Sequence, residues 1–205
     1  MTASPVFRPA KFAFAALAAS SLAACGINSV PTAEENAKAK WGDVQAAFQE
    51  RANLVPNLAA VAKGAAEQEK EILTGVIEAR AKATSVQLSA DDLTDPAKMA
   101  QFQAAQNQLS GSLAGLGRLL VNVERYPELK SITNYQMLQS QLEGQENRIR
   151  VAIRDYNGAV QQYNTTIRTF PDAIGAKIFY GAKPMTPYQA ATPGADVAPS
   201  LEGKI

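Results

Sequence analysis

Through three long stretches of this chain, apolar residues recur alternately three and four positions apart, and that spacing leaves little choice of fold. The first seam runs Trp41, Val44, Phe48, Val55, Leu58, Ala62, Ala65, Ile72, Val76 and Ala79, with Arg51 and Glu69 filling the two remaining places. A heptad repeat keeps one stripe of a helix turned toward its neighbours along its whole length, so the pattern predicts helices packed lengthwise. The second seam is Met99, Phe102, Gln106, Leu109, Leu113, Leu116, Leu120 and Val123. The third is Tyr135, Leu138, Leu142, Glu146, Ile149, Ile153, Tyr156, Val160, Tyr163, Ile167 and Phe170, with one eleven-residue step from Leu138 to Ile149 that relaxes the supercoil locally. The fold class predicted is all-α: an elongated antiparallel up-and-down bundle of three long helices plus a short C-terminal helix near residues 172–179.

Punctuation sets the expected boundaries. Thr32 and Glu35 form a capping box behind Pro31, which places a helix start there. Pro56 lies inside the first seam and predicts a kink, since the seam keeps its phase across it. Residues 89–95 read as a connection, Asp95-Pro96 as a cap followed by a first-turn proline, Pro127 as a stop, and Thr133 as the start of the third helix. Gly111, Gly115 and Gly117 weaken the second helix and predict close approach of a neighbour. After Gly181 the chain carries Pro184, Pro187, Pro193 and Pro199 among Ala, Gly and Thr, a composition that predicts a flexible tail over residues 181–205.

Two features stand out within the seams. Glu146 occupies a seam place in the third helix and Arg51 one in the first, so the two are expected to pair. A buried pair of that kind fixes register more than it stabilises, because desolvation offsets much of the attraction, and removing either partner alone is expected to cost more than removing both, by about 3 kcal/mol if the pair is fully buried. Tyr156-Asn157 recurs seven residues later as Tyr163-Asn164, stacking two phenols on one face and two amides on the next. That is ordinary for core residues with hydrogen-bonding tips.

Ahead of the seams lies a leader with a basic start at Arg8 and Lys11, an apolar run over residues 12–24, and Leu22-Ala23-Ala24-Cys25 holding the only cysteine. The run is too short to span a bilayer, which takes about 20 apolar residues. The arrangement resembles a bacterial lipoprotein signal. It predicts a signal peptide over residues 1–24, acylation of Cys25, a lipidated tether over 25–31 and the bundle over 32–180. Gly26 stands where an Asp would resemble an inner-membrane retention signal, so in a cell with two membranes the periplasmic face of the outer membrane is expected.

Losing the leader removes Arg8 and Lys11 and no acidic residue, taking the formal charge from +1 to −1. A surface so close to neutral lacks the basic field of a nucleic-acid binder. Histidine is absent from all 205 residues, which excludes Ser/His/Asp triads, Cys/His dyads and His-ligated metals. Carboxylates remain. Glu67, Glu69 and Glu71 fan out around a helix axis as a solvated face does, and Asp91, Asp92 and Asp95 sit where a helix is capped. No phosphate-binding glycine loop or calcium loop appears, and no cofactor is predicted.

Several segments together resemble the LemA family of bacterial proteins: Trp41-Gly42-Asp43-Val44, Arg51-Ala52-Asn53-Leu54-Val55-Pro56-Asn57-Leu58, Lys63-Gly64, Ala79-Arg80, residues 119–130 with Glu124-Arg125-Tyr126-Pro127-Glu128-Leu129-Lys130, Glu146-Asn147-Arg148-Ile149, both Tyr-Asn pairs and Phe170-Pro171. The resemblance implies an elongated helical bundle held to a membrane by its N-terminus, in a family whose biochemical activity is poorly defined and some of whose members are associated with shaping membranes. Ala65 and Gln68 stand where family members carry a Tyr and a His, and lipid stands where they commonly use a transmembrane helix. Glu67, Gln68, Lys70 and Glu71, flanking the seam at that point, form the candidate interaction surface. The function expected is a membrane-tethered, non-catalytic scaffold or adaptor of the cell envelope, with unknown envelope proteins or copies of itself as partners. The alternatives are a self-assembling membrane-remodelling coat and, from the enzyme class, a carboxylate-dependent hydrolase.

Overall fold

The computed structural model describes residues 7–65, 70–121 and 133–189, and every regular element in them is helical. Four long helices follow one another: α1 (Phe7–Ala65), α2 (Lys70–Ser85), α3 (Pro96–Val121) and α4 (Thr133–Thr166). A single 3-10 turn, Asp91–Thr94, precedes α3, and a short α5 (Asp172–Gly175) runs on into a π-helical turn, Ala176–Tyr180. The chain is an all-α helical bundle.

The first seam is shared between two helices, where one had been expected. Arg80 Nε donates to the Ala52 carbonyl at 2.8 Å, and Gln45 Nε2 donates to the Leu88 carbonyl at 3.0 Å, so α2 runs back along α1. Folding back lets Val76, Ala79 and Ala83 bury themselves on Val55 and Leu58, whereas a single rod would leave that half of the seam without a partner. The heptad phase is the same on both sides of the reversal, and for that reason spacing alone could not reveal it. α3 runs parallel to α1, and α4 runs antiparallel to it, as the Arg148–Glu50 ion pair at 3.1 Å and the Ser29–Asp172 hydrogen bond at 2.7 Å show. α1 packs along α4 and α2, and α2 along α3, while among the described residues α3 and α4 have little direct contact.

The helix start differs too. α1 runs through Pro31 and Thr32, and the Thr32 hydroxyl donates back to the Asn28 carbonyl, while Glu35 pairs with Lys38 at 3.0 Å. No capping box forms, because Val30, Ala33 and Ala37 carry the buried stripe upstream of Thr32 and packing outweighs the local signal. The expected tether of residues 25–31 is therefore helical, and the bundle begins at Val30, which is fully buried. At α3 the sequence signal holds: Asp95 Oδ1 accepts from the Ala97 N–H at 2.8 Å, beside the first-turn Pro96. α1 also continues through Pro56 and does not end there. The α3 glycines do not bring a neighbour close, for a Cβ at Gly111, Gly115 or Gly117 meets nothing within 4 Å.

The core forms two clusters stacked along the axis. The first gathers Trp41, Phe48, Phe102 and Tyr156 with Val44, Met99 and Ile149. Trp41 lies 5.2 Å from Phe102 and 5.1 Å from Tyr156 between ring centroids, in edge-on and tilted contacts favoured by the ring quadrupoles. The second cluster is aliphatic: Val55, Leu58, Val76, Leu109, Leu113 and Leu116. Seam positions Ala62, Ala65, Glu69, Leu120, Val123, Tyr135 and Leu138 lie outside the residues whose side chains are described. Phe170, expected as the last seam residue, is 75% exposed, because α4 has ended before it.

The tail reading is corrected for residues 181–189. Gly181, at φ 54°, turns the chain out of the π-helical turn in the left-handed region that favours glycine, and an extended strap follows in which Met185 and Tyr188 are buried in the first cluster. Residues 190–205 lie outside the described residues.

Candidate functional site

Arg51 stands between the two clusters and is 1% exposed. Its Nη1 donates to Glu146 Oε1 at 2.9 Å and to the Ser110 hydroxyl at 2.7 Å. Nη2 donates to Gln106 Oε1 at 3.0 Å and to the Gln106 carbonyl at 3.3 Å. Gln106 Nε2 in turn donates to the Ala83 carbonyl at 3.1 Å. One guanidinium on α1 therefore ties together α3, α4 and, through Gln106, α2. Its planar fork makes this geometry possible, and a Lys ammonium would not reproduce it. The cation also lies 5.0 Å from the centroid of the Phe48 ring. The expected Arg51–Glu146 pair is made, with one difference: the Glu146 side chain keeps 43% of its exposure, so only one partner is enclosed.

The strap is held by a ladder of asparagines that the sequence reading missed. Asn157 Nδ2 donates to the Tyr188 carbonyl and the Tyr188 N–H donates to Asn157 Oδ1, both at 2.8 Å. Asn164 treats Met185 in the same way, at 2.9 and 2.8 Å. Each side-chain amide takes the place that a peptide group on a neighbouring strand would fill. Between the rungs the Tyr156 hydroxyl donates to the Thr186 carbonyl at 2.9 Å, and the Thr186 N–H donates to the Leu93 carbonyl at 2.8 Å. Pro187 is exposed and has no N–H to satisfy, so Met185, Thr186 and Tyr188 pair both their backbone groups despite the proline between them. The signal was present: seven residues of helix rise about 10 Å, and three residues of extended chain cover about 10 Å, so an i, i+7 pair of amides matches strap residues three apart.

Burial raises the hydroxyl pKa of Tyr156, Tyr163 and Tyr188, the last to about 12, so these groups are proton donors throughout the physiological range. At the 3-10 turn, Lys98 and Ser89 hold the Asp92 carboxyl down to about 2, which keeps it an acceptor.

Where α3 and α4 part, a groove of about 720 Å³ opens above this node. Arg51 and Phe48 floor it, Glu146, Arg150 and Arg154 stand along α4, and Tyr188 also lines it. Arg154 pairs with Asp155 at 3.2 Å. Charged and amide groups interleaved with Phe48, Ile149 and Ile153 suit the face of another helix or an extended segment. Of the other residues singled out from the sequence, Lys70 and Glu71 are exposed at the start of α2, far along the axis from α5, while Glu67 and Gln68 lie outside the described residues. Cys25 sits on the N-terminal part of α1, at the opposite end from Lys70. The structure thus brings together Arg51 and Glu146 and keeps Cys25 apart from the Lys70–Glu71 surface.

An antiparallel four-helix bundle whose first helix runs on beyond the core, clasped by a C-terminal strap, defines the class. The sequence model of the LemA family matches residues 40–202, and the chain belongs to that family. It is also similar to magnetosome proteins MamQ 1 and MamQ 2 of Paramagnetospirillum magneticum (strain ATCC 700264 / AMB-1), each 26% identical over 158 residues. Those matches cover 70% of this chain and 58% of each relative, so the chain spans little more than half the length of these curated relatives.

Proposed function

We propose that this protein is a membrane-tethered scaffold, held by acyl chains on Cys25 and presenting the α3–α4 groove to a protein partner in the cell envelope. Family membership and the magnetosome relatives support membrane association; among the described residues no helix is long and apolar enough to cross a membrane. The observation that carries the scaffold reading is the Arg51 node. Among the described residues the most deeply buried charge ties α3, α4 and, through Gln106, α2 to α1, and a groove lined by charged and amide side chains opens beside it. Val30 is buried only five residues after Cys25, and a helix rises about 8 Å over that distance, so the anchor holds the bundle against the membrane surface.

Photo-cross-linking from Asn107 and Arg150, on the two walls of the groove, tests the scaffold in intact cells. Adducts with a defined envelope protein are expected, and a groove that captures nothing while Lys70 does would move the docking surface to the start of α2. Mass spectrometry of the native protein tests the anchor: a diacylated Cys25 as the first residue is expected, and an unmodified Cys25 overturns it. A coat made by lateral self-association is the second reading, favoured by the same groove if a second copy fills it. Particle size measured with and without vesicles separates the two, because a coat assembles on vesicles and deforms them.

A further inference from the structure

Between Phe170 and Tyr180 the usual arrangement of a surface helix is inverted. Gly175 and Ala176, the smallest side chains of the segment, face the core, while Ile174, Ile178 and Phe179 point outward. Five of the eight large apolar side chains exposed among the described residues lie in this one segment, with Phe170 at 75% and Ile178 at 69%. Isolated exposed apolar residues are common, but such a concentration at one end of a molecule marks a surface that meets something other than water.

The position of the segment identifies its occupant. Ser29 donates to Asp172 at 2.7 Å, and Ala176 is buried in the same cluster as Val30, so α5 sits beside the point where α1 enters the core. From there α1 runs back toward Phe7 through the apolar residues 12–24 and Cys25. The end of the bundle that carries the exposed patch is therefore the end from which the apolar leader or the lipid anchor emerges. Arg168, Lys177 and Lys183 are exposed around the patch, whereas the acid in the segment, Asp172, is turned inward to Ser29. Apolar and aromatic groups ringed by cations are the composition that binds the interface of an anionic bilayer.

We infer that the α4–α5 corner, with Ile174, Ile178 and Phe179 at its tip, inserts into the membrane interface as a second point of attachment beside the N-terminal one. Two contacts fix the tilt of the bundle on the membrane, where one acyl tether leaves it free to swivel. The inference rests on membrane association itself and not on whether lipid or leader supplies the first contact.

The test uses the full chain carrying Ile178→Trp, bound to vesicles of phosphatidylethanolamine and phosphatidylglycerol with part of the lipid brominated. Ile77→Trp, at an exposed site on α2, is the control, and Trp41 emission from the unmodified chain is subtracted. Quenching of the residue-178 signal several-fold beyond that at residue 77 is expected. A protein that floats with the vesicles while residue 178 stays unquenched overturns the inserted corner and leaves the tether intact. A protein that does not float overturns both. A residue-178 signal already shifted to the blue without vesicles, in a particle of dimer mass, would assign the patch to a second copy and overturn the membrane contact.

Discussion

The two clusters of this bundle are built from the same heptad seam and yet are different kinds of core. On the α5 side of Arg51, α1 and α4 enclose interlocking rings and are clasped by the strap, so packing geometry and backbone hydrogen bonds reinforce each other. Beyond Arg51 the core is aliphatic, α1, α2 and α3 supply it, and α4 contributes a half-buried Leu142. Rings in specific contacts define one arrangement, while Leu and Val at heptad spacing accept several with little change in energy. The first region is thus suited to holding a fixed form, and the second to adjustment. The polar node at Arg51 is the joint between them.

Truncating each core tests this contrast most severely. Trp41→Ala removes two ring contacts and is expected to cost about 4 kcal/mol, against about 3 kcal/mol for Leu109→Ala. Urea unfolding followed by circular dichroism measures both, and equal costs would remove the distinction. Arg51→Met should cost about 3 kcal/mol, since Gln106 and Ser110 lose their donor, and should split one unfolding transition into two. Glu146→Gln should cost under about 1 kcal/mol because its carboxylate is half in water, which makes the pair unequal in a double-mutant cycle. A single sharp transition in Arg51→Met would show that the clusters communicate by other means.

A smaller effect is expected at the clasp. Asn157→Ala or Asn164→Ala leaves a buried N–H and C=O of the strap without partners and should cost about 2 kcal/mol each. Limited proteolysis should then cut near Lys183 several-fold faster, with the second cluster unaffected. Alkali is expected to have the smallest effect. The ordinary Tyr pKa is about 10, and burial raises that of Tyr188 to about 12 in the folded state. The stabilisation is complete below pH 10 and is lost as pH rises toward 12, because the unfolded chain gives up its protons first. Tyr156 and Tyr163 shift in the same direction and belong to the same cluster, so Trp41 fluorescence should report loosening there before helicity falls.

Much of the fold was legible because heptad spacing is a direct record of burial. Trp41, Val44, Phe48, Leu109, Ile149 and Tyr156 all face the core where the spacing puts them, and Asp95-Pro96 caps α3 as written. What escaped was nonlocal. The reversal into α2 preserves seam phase, so periodicity is blind to it. The strap has a tail's composition, and only its match to amides on a distant helix orders it. Arg51 and Glu146 could be paired from their seam places, but the roles of Gln106 and Ser110 depend on how α3 is rotated, which spacing does not report. The exposed corner at Phe170 was hidden for the opposite reason, since it continues the apolar period past the end of the helix that gave the period its meaning.

The asparagine ladder also works as a gauge with two scales, seven helical residues on one edge reading the same length as three extended residues on the other. A one-residue insertion between Met185 and Tyr188 can satisfy one rung but not both, while a matched insertion of seven residues in α4 and three in the strap creates room for another. Sequence length in these two segments is consequently coupled, and related chains that lengthen one should lengthen the other in that ratio.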